Sequence, residues 1–127
     1  MLLRRSNFHE QICVLRVSPD VLDIRNVVIT DSNAASKYVR FRSAPEGLAI
    51  VDRDRTFAEW WTHDDQIEQW RHSAQKCAEV LVPDVVPAHY IVGAYVSGNS
   101  GRERLQRLAE SLPVAQDPHL FFQRVAA

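Results

Sequence analysis

The sequence predicts an α+β fold. Short runs rich in β-branched residues end at turn-forming residues, and two longer stretches carry apolar residues at helical spacing. The chain has no internal repeat and no low-complexity linker, and 127 residues suffice for at most one domain with a modest core. We therefore expect one compact α+β unit.

Two strands and a turn open the chain. Residues 12–17 alternate and are rich in β-branched side chains, and the Ser-Pro-Asp sequence that follows ends this strand. Residues 26–30 predict a second strand. The Asp-Ser-Asn sequence at 31–33 favours a turn, because Asp and Asn side chains bond their own backbone, and residues 34–36 are expected to begin one helical turn.

A long excursion occupies residues 38–61. It contains Pro45, Gly47 and the charge alternation Asp-Arg-Asp-Arg at 52–55, which predict a hairpin or little regular structure. Long irregular segments in compact domains are usually functional or disordered.

A helix follows the excursion. Thr62 can cap it, with Asp65 three residues later completing the capping pattern. One helical face then carries Ile67, Trp70, Ala74 and Cys77.

The remaining elements lie in the last third of the chain. Residues 80–82 predict a short buried strand bounded by a proline, and residues 90–96 predict another strand. Residues 102–112 form an amphipathic helix with its three leucines facing inward, stopped by Pro113. Residues 120–122 are expected to supply a last edge strand.

Glu79 is a lone carboxylate at the start of an apolar run. We expect it at a strand edge facing a cleft, because burial without a partner costs several kcal/mol or neutralises the group. Two interpretations stay open. The carboxylate either has a structural role, satisfied by an arginine or by backbone N–H groups, or it is catalytic.

The residues around Glu79 are similar to a known motif. Residues 76–82, Lys-Cys-Ala-Glu-Val-Leu-Val, resemble the catalytic-glutamate motif of the DarT family, Arg-x-Ala-Glu-[Phe/Val]-Leu-Val. Lys76 takes the place of the arginine.

Two further segments resemble the family in the same order. Residues 27–36 are similar to its strand-turn segment, in which Ser32 replaces a common glycine, and residues 86–96 resemble its closing segment more weakly. Together the three matches span about residues 11–97.

The resemblance implies a fold, an activity and partners. DarT-family members are toxins of toxin–antitoxin pairs that use NAD to ADP-ribosylate a base in single-stranded DNA. The resemblance therefore implies an ADP-ribosyltransferase-like domain with a central mixed or antiparallel sheet, NAD as a substrate, and single-stranded DNA and an antitoxin protein as partners. In that frame residues 1–127 are a partial DarT-like domain, and residues 38–79 hold the substrate-reading loop and the helix that leads to the catalytic Glu79.

A single glutamate suits this chemistry. Transfer of ADP-ribose breaks a glycosidic bond through an oxocarbenium-like state, so a carboxylate near the ribose can orient it and stabilise positive charge. The same carboxylate can accept the proton from the attacking base nitrogen when it lies within hydrogen-bond reach.

Single-stranded DNA binding requires cations that follow the phosphates and flat side chains that stack on bases. Our candidate DNA-binding residues are Asn33, Arg40, Arg42, Arg71 and Lys76. Asn33 has the alternative role of a turn former. The three tryptophans, which would otherwise stack on bases, are expected in the core, because aromatic residues contribute most by burial: Trp60, Trp61 and Trp70.

The sequence departs from the family at its amino terminus. The family binds NAD mainly through a His-x-Thr type motif and a catalytic arginine that precede the first matched strand, and nothing here corresponds to them. We expect an amino-terminally truncated domain that transfers little or no ADP-ribose alone, with no identified NAD-binding residues, completed by a missing amino-terminal half or by self-association. The alternative is a non-catalytic remnant that binds single-stranded nucleic acid or protein, and the third possibility is an unrelated α+β domain.

Composition narrows the partners. A formal net charge of −1 gives no global attraction to nucleic acid, so a DNA contact requires a local basic patch. No apolar run approaches the roughly 20 residues of a membrane span and no signal peptide is present, which predicts a cytoplasmic protein without membrane contact. The two cysteines lack metal-site spacing, so no metal is expected.

Overall fold

The computed structural model describes residues 9–121. The chain divides into two compact units, one of residues 19–86 and the other of residues 1–18 and 87–127. Strands and helices occur in both units, which confirms the α+β class.

The unit of residues 19–86 contains a three-stranded antiparallel sheet. Its strands are β2 (Val28–Thr30), β3 (Phe41–Ser43) and β4 (Val80–Leu81), in the order β3-β2-β4. The central strand is the most buried, with Ile29 1% and Thr30 0% exposed. A β-branched pair therefore forms the centre of this unit, where both faces of the strand are covered.

Two helices complete this unit, α1 (Arg53–Thr56) and α2 (Gln66–Gln75). The Asp65 side chain accepts hydrogen bonds from the backbone N–H groups of Ile67 and Glu68 at 2.8 and 3.3 Å. The prediction that Thr62 caps this helix is therefore wrong. Asp65 is preferred because its carboxylate satisfies two N–H groups of the first turn and its charge suits the positive end of the helix dipole.

A buried histidine joins the two helices. His72 is 5% exposed, and its Nε2 lies 2.8 Å from the backbone oxygen of Arg55 in α1. Its Nδ1 lies 2.7 Å from Nε2 of His63. Since the carbonyl only accepts, His72 Nε2 must donate, and in a neutral pair His63 then donates to His72.

Strand β4 corrects the prediction of a buried strand over residues 80–82. It has two residues, and Val80 is 44% exposed. The physical reason is that β4 pairs only with β2 and lies at the sheet edge, where one side of the strand has no neighbour. The excursion is more ordered than its composition indicates, since it contains β3, a 3₁₀ turn at Glu46–Ile50 and α1.

The other unit contains a mixed sheet. Strand β5 (Ile91–Val96) lies between β1 (Val14–Val17), which is antiparallel to it, and β6 (Val114–Gln116), which is parallel. Helix α3 (Asn99–Leu108) makes the crossover that a parallel pair requires. The expected strand over residues 90–96 is confirmed as β5. The prediction of a mixed or antiparallel sheet is also confirmed, since one sheet is antiparallel and the other is mixed.

Two predictions fail in this unit. Pro118–Phe121 forms a 3₁₀ turn and not a strand, since this turn places Phe121 at 0% exposure, and Phe122 lies outside the described residues. The last strand of the chain, at one edge of this sheet, is instead β6. Leu108 was expected to face inward but is 85% exposed, because α3 ends at that residue and its last turn has no core beneath it.

No helix in the described part of the chain is long and apolar enough to cross a membrane.

Candidate active site

Glu79 directly precedes β4, and the buried Thr30 holds its backbone. The Thr30 N–H donates to the Glu79 carbonyl at 2.9 Å, and the Glu79 N–H donates to Thr30 Oγ1 at 2.9 Å. The same hydroxyl donates to the backbone oxygen of Ser32 at 2.6 Å. One hydroxyl therefore connects the start of β4 to the turn that follows β2.

The Glu79 carboxylate itself is exposed and has one backbone partner. The Ala34 N–H donates to its Oε2 at 2.8 Å. Among residues 9–121, no group donates a hydrogen bond to its Oε1. The contact with Ala34 is the kind that the structural interpretation expected, but among the described residues it engages only one of the two carboxylate oxygens.

The turn that carries Ala34 is built by Asn33. Its Oδ1 accepts from the Ala35 N–H at 2.8 Å, and its backbone N–H donates to the Ala74 carbonyl at 2.9 Å. The Ser36 N–H donates to the Asn33 carbonyl at 2.8 Å, which closes a single turn and not a helix. The role of Asn33 as a turn former is therefore confirmed, and its DNA contact stays a prediction.

Arg40 is held beside this turn by Asp31. Its Nε lies 2.7 Å from Asp31 Oδ2, and its backbone N–H donates to Asp31 Oδ1 at 2.9 Å. Burial raises the pKa of the Asp31 carboxyl, but the hydrogen bonds and charge of Arg40 outweigh it and lower the pKa overall. Asp31 is thus a charged structural residue and a weak base.

The other predicted DNA-binding residues have different partners. Arg71 Nη1 lies 2.8 Å from Glu68 Oε1, and Arg42 Nη1 donates to the carbonyl of its neighbour at 2.8 Å. Lys76 Nζ donates to the Ala58 carbonyl at 2.7 Å and lies 4.8 Å from the centroid of the Trp61 ring. Lys76 therefore fastens the segment before α2.

Glu79 opens on a cleft of about 360 Å³. Leu48, Val51 and Phe57 give its walls apolar surface, and Arg53 supplies a cation. The expectation that Glu79 faces a cleft at a strand edge is confirmed. Arg53 was not among the predicted site residues because the charge alternation at residues 52–55 predicts a solvated, self-paired run. Phe57 was missed because no motif marks it.

Two of the tryptophans correct the core prediction. Trp60 is 84% and Trp70 64% exposed. Helical spacing identified an apolar face on α2, but spacing does not say whether protein covers that face. Residues 9–121 contain no group of three metal-binding side chains.

The DarT family model, described as ssDNA thymidine ADP-ribosyltransferase, matches residues 1–122. No curated protein matches the chain significantly.

Solved structures of the same family are similar in fold. Thermosipho africanus DarTG in complex with ADP-ribose is 25% identical with a TM-score of 0.77, over 97% of this chain and 33% of that one. Thermus sp. 2.9 DarT in complex with carba-NAD⁺ is 20% identical with a TM-score of 0.75, over 87% and 58%. Thermus sp. 2.9 DarT in complex with ADP-ribosylated ssDNA is 20% identical with a TM-score of 0.74, over 87% and 54%.

The chain thus spans between 33% and 58% of the length of these structures. The family model covers nearly all of the sequence, and Glu79 of the glutamate motif is hydrogen-bonded to Ala34 of the strand-turn segment. The chain belongs to the DarT family.

Proposed function

We propose that this chain provides the glutamate-bearing part of an ADP-ribosyltransferase that modifies a base of single-stranded DNA, with NAD as the donor and no metal. The observation that carries the proposal is the hydrogen bonding and location of the Glu79 carboxylate. Its Oε2 is held by the Ala34 N–H, its Oε1 bonds no described donor, and the residue lines an apolar cleft. Matched family structures contain carba-NAD⁺ and ADP-ribosylated ssDNA, which supports these two substrates.

The reaction assigns one task to each group. The bond between the ribose C1′ and nicotinamide breaks, nicotinamide leaves, and a bond forms between C1′ and a base nitrogen. Glu79 stabilises the positive charge on the ribose and accepts the proton that the base nitrogen loses. An anchored carboxylate suits this task because it needs little reorganisation in the transition state.

Asp31 is the carboxylate of the strand-turn segment, and it is unsuited to this role. Arg40 occupies both of its oxygens and lowers its pKa, so it takes up a proton only in acid. Glu79 therefore supplies the base, and Asp31 positions Arg40.

The DNA-binding proposal retains all five predicted residues. A DNA phosphate that binds Arg40 or Arg71 must compete with the carboxylate already paired with that arginine. The high charge density of a nucleic-acid strand favours this exchange. Asn33 and Arg42 would contact the strand through exposed side chains. Lys76 is half-buried and bound to the Ala58 carbonyl, so it would contact the strand through its remaining N–H groups.

We further infer a toxin acting in the cytoplasm, held in check by an antitoxin protein. The support is the family membership of the chain and its match to the Thermosipho africanus DarTG structure. Induced expression should slow growth of a bacterial host, and Glu79→Gln should remove the effect at equal protein level. Equal slowing by both forms would contradict a toxic activity that depends on Glu79.

The enzymatic test uses the gene product as its own host makes it. The protein is incubated with NAD and a thymidine-containing single strand, and the strand is weighed by mass spectrometry. We expect addition of one ADP-ribose, reduced about 100-fold or more by Glu79→Gln. Glu46→Gln is the matched control, because Glu46 is an exposed carboxylate outside the cleft.

A second candidate is non-catalytic binding of single-stranded nucleic acid. The exposure of Trp70 favours it, since such a ring suits stacking whether or not transfer occurs. In that case the wild-type protein binds the strand in a salt-dependent way, transfers nothing, and is unaffected by Glu79→Gln.

A further inference from the structure

A second concavity is lined in part by residues on either side of Asn33, namely Ser32 and Ser36. This groove has a volume of about 500 Å³ and shares no lining residue with the Glu79 cleft. Its walls come from α2 and the residues that follow β2, and they include Ser36, Tyr38, Ile67, Trp70 and Arg71. Its size lies within the range of ordinary small-molecule sites, roughly 300–1,000 Å³.

Exposed apolar and aromatic side chains dominate the groove. Tyr38 is 81%, Trp70 64% and Ile67 63% exposed. Ile67, Trp70 and Ala74 lie at helical spacing on α2 and all line the groove, so the apolar face of this helix is the groove wall. An exposed apolar stripe of this kind marks a binding surface.

The charges around the groove favour an anionic partner. Arg71 lines it, Arg40 is bound to the lining residue Asp31, and Lys37 lies 5.5 Å from the centroid of the Tyr38 ring. The nearby acids are already engaged, Asp31 by Arg40 and Glu68 by Arg71. The three cations and two carboxylates named here leave a local net charge of +1, although the whole chain has a formal net charge of −1.

Flat aromatic surface combined with cations is the chemistry that binds single-stranded nucleic acid. An acidic peptide would use the cations but not the ring faces. Gln75 also lines the groove, and its Oε1 is buried and accepts no hydrogen bond from described residues. Rotation of that terminal amide would let a base N–H satisfy it.

We propose that this groove binds a nucleotide that flanks the one modified, with its base stacked on Trp70 and Tyr38 and its phosphate on Arg71. The inference rests on the proposed function, since it adds a second subsite for the same strand. Ala34, which anchors Glu79, and Ser36, which lines the groove, are two residues apart. They lie within about 7 Å of each other, so one strand can reach both places.

The subsite has a defined energetic role. Stacking tolerates any base because every base has a flat face, so the groove holds the strand without reading its sequence. It makes the same contacts before and during the reaction, and its loss therefore raises KM and leaves kcat unchanged.

The test measures the affinity of the host-made protein for a fluorescent single strand by anisotropy. Trp70→Ala should weaken binding about 5- to 150-fold, the range for stacking one base, and Trp70→Phe should recover most of it. Trp60→Ala is the matched control, because Trp60 is also an exposed tryptophan, more exposed than Trp70, but does not line the groove. Circular dichroism and melting should be unchanged in all three variants, since both side chains face solvent.

An abasic scan separates stacking from a structural effect. One base at a time is removed from the strand, and one position should weaken wild-type binding by a similar factor. The same removal should cost little in Trp70→Ala, because the stack is already gone.

The outcomes separate this inference from the proposed function. If the wild-type protein binds no single strand, both are overturned. Two other results would overturn only the groove assignment, provided that the wild-type protein binds and modifies DNA. One is equal affinity of Trp70→Ala and Trp60→Ala for the strand, and the other is the absence of any abasic position whose effect depends on Trp70. In either case the apolar face of α2 would instead bind a protein partner.

Discussion

Replacing Thr30 with valine should destabilise the unit of residues 19–86 although the two side chains have nearly the same shape. The hydroxyl accepts from the Glu79 N–H at 2.9 Å and donates to the Ser32 carbonyl at 2.6 Å. Thr30 is 0% exposed, so water cannot replace either bond. Each buried group left unpaired costs about 1–3 kcal/mol, and we expect a total loss of about 2–4 kcal/mol.

The loss is measurable by urea denaturation followed by tryptophan fluorescence. All three tryptophans belong to the unit of residues 19–86, so the signal reports on this unit. With a slope of about 2 kcal/mol/M the midpoint should fall by roughly 1–2 M. Thr30→Ser keeps the hydroxyl and should lose less.

Thr62→Val is the matched control, because Thr62 is exposed. Its free energy of unfolding should change by less than about 0.5 kcal/mol. If Thr30→Val unfolds within about 0.5 kcal/mol of the wild type, the hydroxyl does not connect Glu79 to the turn as argued.

Three other substitutions have defined outcomes. Asp65→Ala removes the N-cap of α2 and should lower the free energy of unfolding, measured in urea, by about 1 kcal/mol. Asp64→Ala changes an exposed neighbour and should lower it hardly at all, so equal losses would contradict the capping role of Asp65. The folded pKa of Asp31 lies below its unfolded value of 3.8, so its stabilisation is present above that pH and is lost as pH falls through the folded pKa. Asp31→Asn should therefore lower stability at neutral pH and flatten its acid dependence, and an unchanged urea-versus-pH curve would refute this. Lys76→Ala should cost roughly 1 kcal/mol and speed chymotrypsin cleavage near Trp61, while unaltered cleavage would show that Lys76 does not fasten that segment.

The sequence located Glu79 well because its signal is local. A carboxylate before an apolar run between a helix and prolines can hardly lie anywhere but at a strand end, and the structure places it there. Strand 91–96 was also predictable, since six residues give a clear pattern. Strand β6 was not, because Val-Ala-Gln is too short and mixed to carry a signal, and its pairing with β5 depends on a crossover helix.

The environment of α2 shows the limit of sequence reasoning most clearly. The spacing of Ile67, Trp70 and Ala74 correctly indicated one apolar face. An apolar face is compatible with a core or with a ligand groove, and only the positions of the surrounding chain decide between them. The four cationic DNA-binding candidates were chosen by charge, so their partners, such as Asp31 for Arg40, could not be foreseen.

The anchor of the Glu79 carboxylate is a main-chain group, the N–H of Ala34. Every residue type except proline has this donor, so the amino acid at position 34 can drift during evolution without loss of the contact. An alanine scan would pass over the position, because alanine is already present. Only Ala34→Pro would remove the donor, and conservation of side chains would give no warning that this amide matters.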